Sequence, residues 1–369
     1  MNNLHKITSL ATLIFILGSL ILSAACAPDN GQPAQQTLNQ PAAVKSDIKV
    51  DVVPMQSVTP AIYLQMPNLK ITFVDFEITN NGDNSIRLSV ESDIQGYSEK
   101  AIDTVDIGPH ATVVVGQTPM LKPDAIPQEI ANATLHYKIA DSNGAVILEQ
   151  TLPVKIYARD TMLWAIKEGD EWTDTSIFIG AFVTPHAPEI DDLVRKAAEY
   201  HPENSMQGYQ CSACSDEQWS EYTQAQVKAV YEALQNDYRL KYINSTIAYS
   251  NESEAPQRVR IPAESLRNGS SNCIDGTVLY AAALESMDMH PYIVITPSHA
   301  FLCYETNPDD PNSVTCLETT MTGSASFEDA TETGEQELAQ ERSNGNIESG
   351  KSKILSIQLL RANGILPMK

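Results

Sequence analysis

The sequence predicts two folded bodies in series, an all-β sandwich over residues 47–160 and an α+β domain over 161–369. Three observations carry this. Short runs of alternating apolar and polar residues recur between Asp47 and Asp160, separated by turn-forming stretches. Beyond Thr161, helix-period segments are followed by apolar runs of strand length. Finally, 369 residues suit two domains once targeting segments are set aside.

Those targeting segments come first in the chain. "MNNLHK" is basic, "ITSLATLIFILGSLILSAA" is apolar and ends in small residues, and Cys26 follows. A charged start, an apolar centre and a small-residue cleavage site make a signal peptide over 1–25. The Cys26 context resembles a bacterial lipoprotein signal, which implies lipidation of Cys26 and a membrane anchor. Ordinary cleavage after Ala25 is the alternative, and the apolar run is also long enough for an uncleaved anchor helix. Residues 26–46 are rich in Pro, Gln, Asn and Ala and read as a polar tether. The bulk of the chain is therefore expected outside the cytoplasm, in the cell envelope. A formal net charge of -23 argues against nucleic acid as a partner.

In the first body, "LKITFVDFEITNNGDNSIRLSVESDI" alternates on both sides of a "NNGDN" turn signal. "ATVVVGQ", "ATLHYKIADSNGAVILEQ" and "LPVKIYA" continue the pattern, with "DSNG" as a hairpin turn. "FEITNNGDNSIRL" resembles the Ig-like modules of bacterial surface proteins, which implies architecture rather than chemistry. No cluster of His, Cys or carboxylates marks this region, so a spacer or docking role is expected.

In the second body, "TSIFIGAFVTP" reads as a strand. "PEIDDLVRKAAEY" reads as a helix with Pro188 in its first turn and acids at its positive end. "DEQWSEYTQAQVKAVYEALQNDY" is a second helix with a stripe of Val227, Val230, Tyr231 and Leu234. "KYINSTIAYS" reads as extended. A third, amphipathic helix starts near Cys273, with Val278, Leu279, Ala282 and Ala283 on one face. "MHPYIVITPSHAFLCYE" and "SVTCLETT" supply buried strands. "EDATETGEQELAQERSNGNIESGK" is a mobile loop or a weak helix, and "KILSIQLLRANGILPM" returns to the core.

Cysteine accounting singles out one thiol. With Cys26 set aside, Cys211, Cys214, Cys273, Cys303 and Cys316 remain, and an odd number leaves one over. Cys303 and Cys316 flank a polar turn and suit a disulfide. Cys211 and Cys214 in "CSAC" suit a disulfide or two thiols better than a metal knuckle, since no second CxxC is present. Cys273 is unpaired by parity. It is a buried structural thiol or a nucleophile, and its helix-start position, capped by Ser271 or Asn272, favours a thiolate.

A thiolate nucleophile needs an imidazole partner, and His299 in "PSHAF" is the candidate. If Cys303 and Cys316 face each other on antiparallel strands, Phe301 faces Glu318 and His299 faces Thr320. Glu318 is then diagonal to His299 on the same sheet face and can orient the imidazole. A slip of one residue would place them on opposite faces.

The stretch from Gln226 to Thr320, with "SSNCIDGTVLYAAALESM", "PSHAF" and "CLETT" in order, resembles the core of the bacterial transglutaminase-like superfamily. The resemblance implies a papain-like α+β fold with Cys273 as nucleophile, His299 as base and Glu318 as orienting acid. The acid differs from the usual aspartate, and Ile274 stands where many relatives have an aromatic. The Cys273 N–H is one oxyanion donor, with Tyr242 or Asn244 as candidates for another. The expected function is a cysteine peptidase, amidase or acyltransferase acting on protein or peptide carboxamides, without metal or organic cofactor. Two alternatives stand beside it: an inactive surface binding or assembly lipoprotein on the same fold, and a thiol oxidoreductase working through "CSAC".

Overall fold

A computed structural model describes residues 47–368, apart from 169, 212–213, 246–247 and 251–252. The expected signal peptide, tether and lipidation at Cys26 lie outside the described residues. The chain divides into two compact units between Arg159 and Asp160.

The described part of the first unit contains β1 (Ile48–Pro54), β2 (Ser57–Val58), the short helices α1 (Pro60–Tyr63) and α2 (Met66–Leu69), then β3 (Val74–Asn80) and β4 (Ile86–Ile94). They are followed by β5 (Ala101–Ile107), β6 (Ala111–Gln117), β7 (Ala131–Asp141) and β8 (Val146–Ile156). One sheet has the order β1-β3-β6 and the other β2-β8-β7-β4-β5. The strands flanking "NNGDN", β3 and β4, thus belong to different sheets. "DSNG" joins the antiparallel partners β7 and β8, with Asp141 Oδ1 accepting from the N–H groups of Asn143 and Ala145 at 2.9 Å.

The period-two pattern turns one face of each sheet inward. Along β3, Val74, Phe76 and Ile78 are buried while Glu77 is exposed. Phe76 meets Tyr137 of β7 edge-on, with ring centroids 5.6 Å apart. Gln117 at the end of β6 accepts from Ser92 Oγ at 2.6 Å and donates to the Val90 carbonyl at 2.9 Å, both on β4. The two sheets therefore face one another in a sandwich-like packing.

The second unit begins with β9 (Thr161–Met162), β10 (Ala165–Glu168) and β11 (Glu171–Asp174). Helices α3 (Pro188–Ala197) and α4 (Asp216–Asn236) precede β12 (Lys241–Tyr242), β13 (Gln257–Arg258), α5 (Pro262–Asn268) and β14 (Ser270–Ser271). Helix α6 (Cys273–Glu285) leads into β15 (Pro291–Ile295), β16 (Ala300–Glu305) and β17 (Val314–Leu317). The unit ends with α7 (Phe327–Ser343), β18 (Lys353–Ser356) and α8 (Ile357–Ala362). Strands β17-β16-β15-β18 form an antiparallel sheet on which α6 and α7 pack. The chain is of mixed α+β class, and no helix among the described residues is long and apolar enough to cross a membrane.

Three local expectations change. "TSIFIGAFVTP" is not a strand: Ser176–Phe182 winds as a 3-10 helix, and the strand lies earlier, at β11. A run that is buried nearly throughout offers no period to separate the two forms. "KYINSTIAYS" pairs as strand only over Lys241–Tyr242, with part of the stretch outside the described residues. Helix α6 is not amphipathic. Every residue from Cys273 to Leu284 is buried, because an almost unbroken apolar helix is covered on all sides. The polar tail segment, open between loop and helix, is helical as far as Ser343 (α7) and turns beyond it, with the helix capped by Ser326 Oγ accepting from Asp329 N at 3.1 Å.

Cys303 pairs with Cys316 across β16 and β17, and the two form a disulfide. Cys211 and Cys214 form a second, and Cys273 is free and buried. Two disulfides fit an oxidising, extracytoplasmic compartment. Replacing Cys303 and Cys316 together by alanine is expected to cost about 3 kcal/mol of stability, the scale for a closed loop of this order. A denaturant midpoint unchanged from wild type would refute it.

Candidate active site

The start of α6 is tightly held. Asn272 caps it, its Oδ1 accepting from Asp275 N at 2.8 Å, while the Asp275 carboxylate accepts from Asn272 N at 3.4 Å. Asp275 Oδ1 also accepts from Arg260 N at 2.8 Å. Burial raises the Asp275 pKa, opposed by these N–H groups and by the Arg260 charge. Strand β12 runs parallel to β14 beside the helix start, and the Asn272 amide donates to Ser245 Oγ at 2.6 Å. Cys273 is thus fixed at the first position of a buried helix, with 2% of its surface exposed.

His299 sits at the end of the tight turn between β15 and β16. Its carbonyl accepts from Thr296 N at 2.8 Å, which closes the turn, and its ring stacks near Phe301. The ring lies near enough to the Cys273 thiol for the thiol to raise its pKa. His299 Nε2 lies 2.5 Å from Glu318 Oε2. A carboxylate only accepts, so Nε2 carries the hydrogen and Nδ1 is the nitrogen left for the thiol.

The ladder has the expected register, with Cys303 opposite Cys316 and Leu302 opposite Leu317. It ends there, so the expected pairings Phe301–Glu318 and His299–Thr320 do not form. Glu318 instead caps a 3-10 turn over Thr319–Met321, its Oε1 accepting from Thr320 N at 2.7 Å. That turn lies close against α6. A β-carbon at Gly276 would stand 3.0 Å from Thr319 Oγ1, and Tyr280 Oη lies 2.9 Å from Thr322 Oγ1. The small residue at Gly276 lets the helix carrying Cys273 approach the turn carrying Glu318.

Electrostatics favour an imidazolium. Burial works to lower the His299 pKa, but the neighbouring Cys273 thiol and the Glu318 hydrogen bond, with the charges of Glu318 and Glu337, raise it to about 10. Burial works to raise the Glu318 pKa, yet the His299 hydrogen bond and charge hold it below its ordinary value. The group sets a thiol beside a proton-carrying imidazole, an arrangement in which a cysteine can act as a nucleophile.

A fourth side chain, Glu337 of α7, lies 3.7 Å from His299 Nε2 and was not singled out from the sequence. Ligand atoms of His299, Glu318 and Glu337 gather within 4.8 Å of one another. His299 Nε2 donates to Glu318, and Glu337 places a second carboxylate beside that pair. Two signals pointed to this helix: the Ser326-x-x-Asp329 cap, and Phe327, Ala330, Gly334 and Leu338 at helical spacing. A reading that starts at Glu328 misses the cap and the first apolar residue.

The remaining candidates fall elsewhere or stay peripheral. Tyr242 is exposed and close enough to feel Cys273 and Glu318, and its hydroxyl donates to Asn244 Oδ1 at 3.4 Å. Cys211 and Cys214 are joined to each other. A second His–Glu pair, His290 Nδ1 with Glu305 Oε2 at 2.5 Å, lies at the opposite end of β15 and β16.

No family model matches the chain, and no curated protein matches it. Among solved structures, a FixG-related protein from Vibrio parahaemolyticus aligns at 11% identity and a TM-score of 0.21, over 31% of this chain and 98% of its own. Similarity at that level bears on neither fold nor function.

Proposed function

We propose that the second unit is a transglutaminase-like, papain-like cysteine hydrolase or acyltransferase with Cys273, His299 and Glu318 as its triad. In this reading the first unit is an Ig-like module, and lipidated Cys26 anchors the chain to the cell envelope. One observation carries the proposal: the His299 imidazole is hydrogen-bonded to Glu318 and lies near enough to Cys273 for the thiol to raise its pKa. The Cys273 thiolate attacks the carbonyl carbon of a protein or peptide carboxamide. The C–N bond breaks, the His299 imidazolium hands its proton to the leaving amine, and a thioester remains. Water then attacks the thioester with His299 as base, releasing the acid and restoring the thiol. An amine in place of water would give transfer, and hydrolysis is favoured by the abundance of water.

Near-complete burial of Cys273 favours a second reading, an inactive scaffold that binds or assembles at the cell surface. Thiol reactivity separates the two. Iodoacetamide at neutral pH is expected to label Cys273 in the wild type and to label the His299→Ala variant at least about tenfold more slowly. Equal, slow labelling of both would overturn the triad and leave the scaffold.

A further inference from the structure

Glu337 presents a problem of hydrogen bonding. Its Oε2 is buried and has no donor from the protein. The polar groups around it are Glu318, which offers only acceptor oxygens, and His299 Nε2, whose hydrogen already goes to Glu318. Two carboxylates side by side in a half-buried site cannot both be ionised cheaply, and a proton on one of them satisfies both.

Helix α7 is held where this contact must occur. Cys316 N donates to Glu335 Oε1 at 2.7 Å and Glu318 N donates to the Ala330 carbonyl at 2.9 Å, so the helix covers the outer edge of β17. Leu338, adjacent to Glu337, packs into the cluster of Val294, Phe301, Cys303 and Cys316. The carboxyl is therefore presented to the His299–Glu318 pair by a fixed element.

We infer that Glu337 is a positioning residue for this pair, donating its carboxyl proton to Glu318 and so holding the carboxylate that aims the imidazole. The inference deepens the Cys273–His299–Glu318 reading and rests on it. Glu318 faces Glu337 from the turn after β17, His299 from the turn before β16, and Glu341 from the next turn of α7. From α4, Lys228 is paired with Glu328 at the far start of the helix. Burial, with the Glu318 charge and hydrogen bond, keeps Glu337 protonated up to about pH 8. An unfolded glutamate loses its proton near 4.5. The folded state thus binds the extra proton between these values, and Glu337 makes the fold less stable as pH rises through that window. Above it, two adjacent carboxylates repel and loosen the hold on His299.

The test is nitrogen-15 NMR of histidine-labelled, full-length protein, titrated from about pH 5 to about pH 9.5 across the histidine and raised-glutamate range. Wild type, Glu337→Gln and Glu337→Ala are compared, with the His299 ring assigned by His299→Ala. In wild type the Nε2 signal is expected to move with a midpoint near 8, following Glu337. In Glu337→Gln, which keeps an N–H donor for Glu318 and cannot ionise, that midpoint disappears. At about pH 6.5, iodoacetamide capture of Cys273 stays within about twofold of wild type in Glu337→Gln and slows about tenfold in Glu337→Ala, the size of one lost hydrogen bond to a charged group. A midpoint near 8 that survives in Glu337→Gln overturns the inference. So does a Glu337→Ala variant that matches wild type in both measurements. If His299→Ala is labelled as fast as wild type, the triad reading falls instead, and the NMR midpoint still decides whether Glu337 shares its proton.

Discussion

Glu318→Gln is expected to leave the protein folded and to slow iodoacetamide capture of Cys273 by about a hundredfold near neutral pH. Glu318 Oε1 accepts from Thr320 N while Oε2 accepts from His299 Nε2. An amide puts an acceptor oxygen at only one of these two positions and an NH2 group at the other. With the oxygen kept on Thr320, the NH2 group faces His299 Nε2 and forces the hydrogen onto Nδ1, the nitrogen that must take the proton of Cys273. The analogous change in a serine triad costs about 10⁴ in turnover through the wrong tautomer. The pH dependence of stability gives a second check. Folded His299 titrates near 10 against 6.5 for a free histidine, so its contribution is complete below 6.5 and lost as pH rises through about 10. Glu318 is held below 4.5, so its contribution is present above that value and lost as pH falls through its lower folded one. The stability gap between wild type and Glu318→Gln should therefore be widest between 4.5 and 6.5 and close toward 10. A gap independent of pH, or unchanged labelling, would show that Glu318 does not orient the ring.

Gly334→Val is expected to be the most damaging single substitution outside the reacting groups, costing about 3–5 kcal/mol by overpacking. A β-carbon at Gly334 would stand 2.7 Å from Leu317 N, 2.8 Å from the Cys316 carbonyl carbon and 3.0 Å from Glu318 N. All three are backbone atoms of β17 and its exit, which cannot turn aside as a flexible side chain does. Helix α7 must move outward, giving up the bonds from Cys316 N to Glu335 and from Glu318 N to Ala330. Chemical denaturation measures the loss, and Cys273 labelling should fall with it, because Glu318 and Glu337 shift with the helix. Glu332→Ala, at an exposed position of the same helix, is the control and should change stability by less than about 0.5 kcal/mol.

Much of the second unit was legible because local chemistry decides it. Pro188 with first-turn acids marks α3, and Asn272 with Asp275 marks the start of α6. The supposition that Cys303 and Cys316 face each other gave the register that β16 and β17 have. Parity singled out Cys273 as the free thiol. Proximity of His299 and Glu318 followed from that register only in outline, since the ladder ends at Leu317 and the contact is made by a turn.

Other features depend on neighbours distant in sequence. Ser176–Phe182 is apolar enough for strand or helix, and the surroundings that bury it select the 3-10 form. The full burial of α6 depends on what covers its second face, which no period in its own residues reveals. Glu337 is an ordinary surface acid by composition. It meets His299 and Glu318 only because Gly334 lets α7 lie directly on β17. Caps, turns and strand periods are short-range preferences and can be read along the chain. Contacts between a helix and a strand edge arise from packing, and packing exists only once the chain has folded.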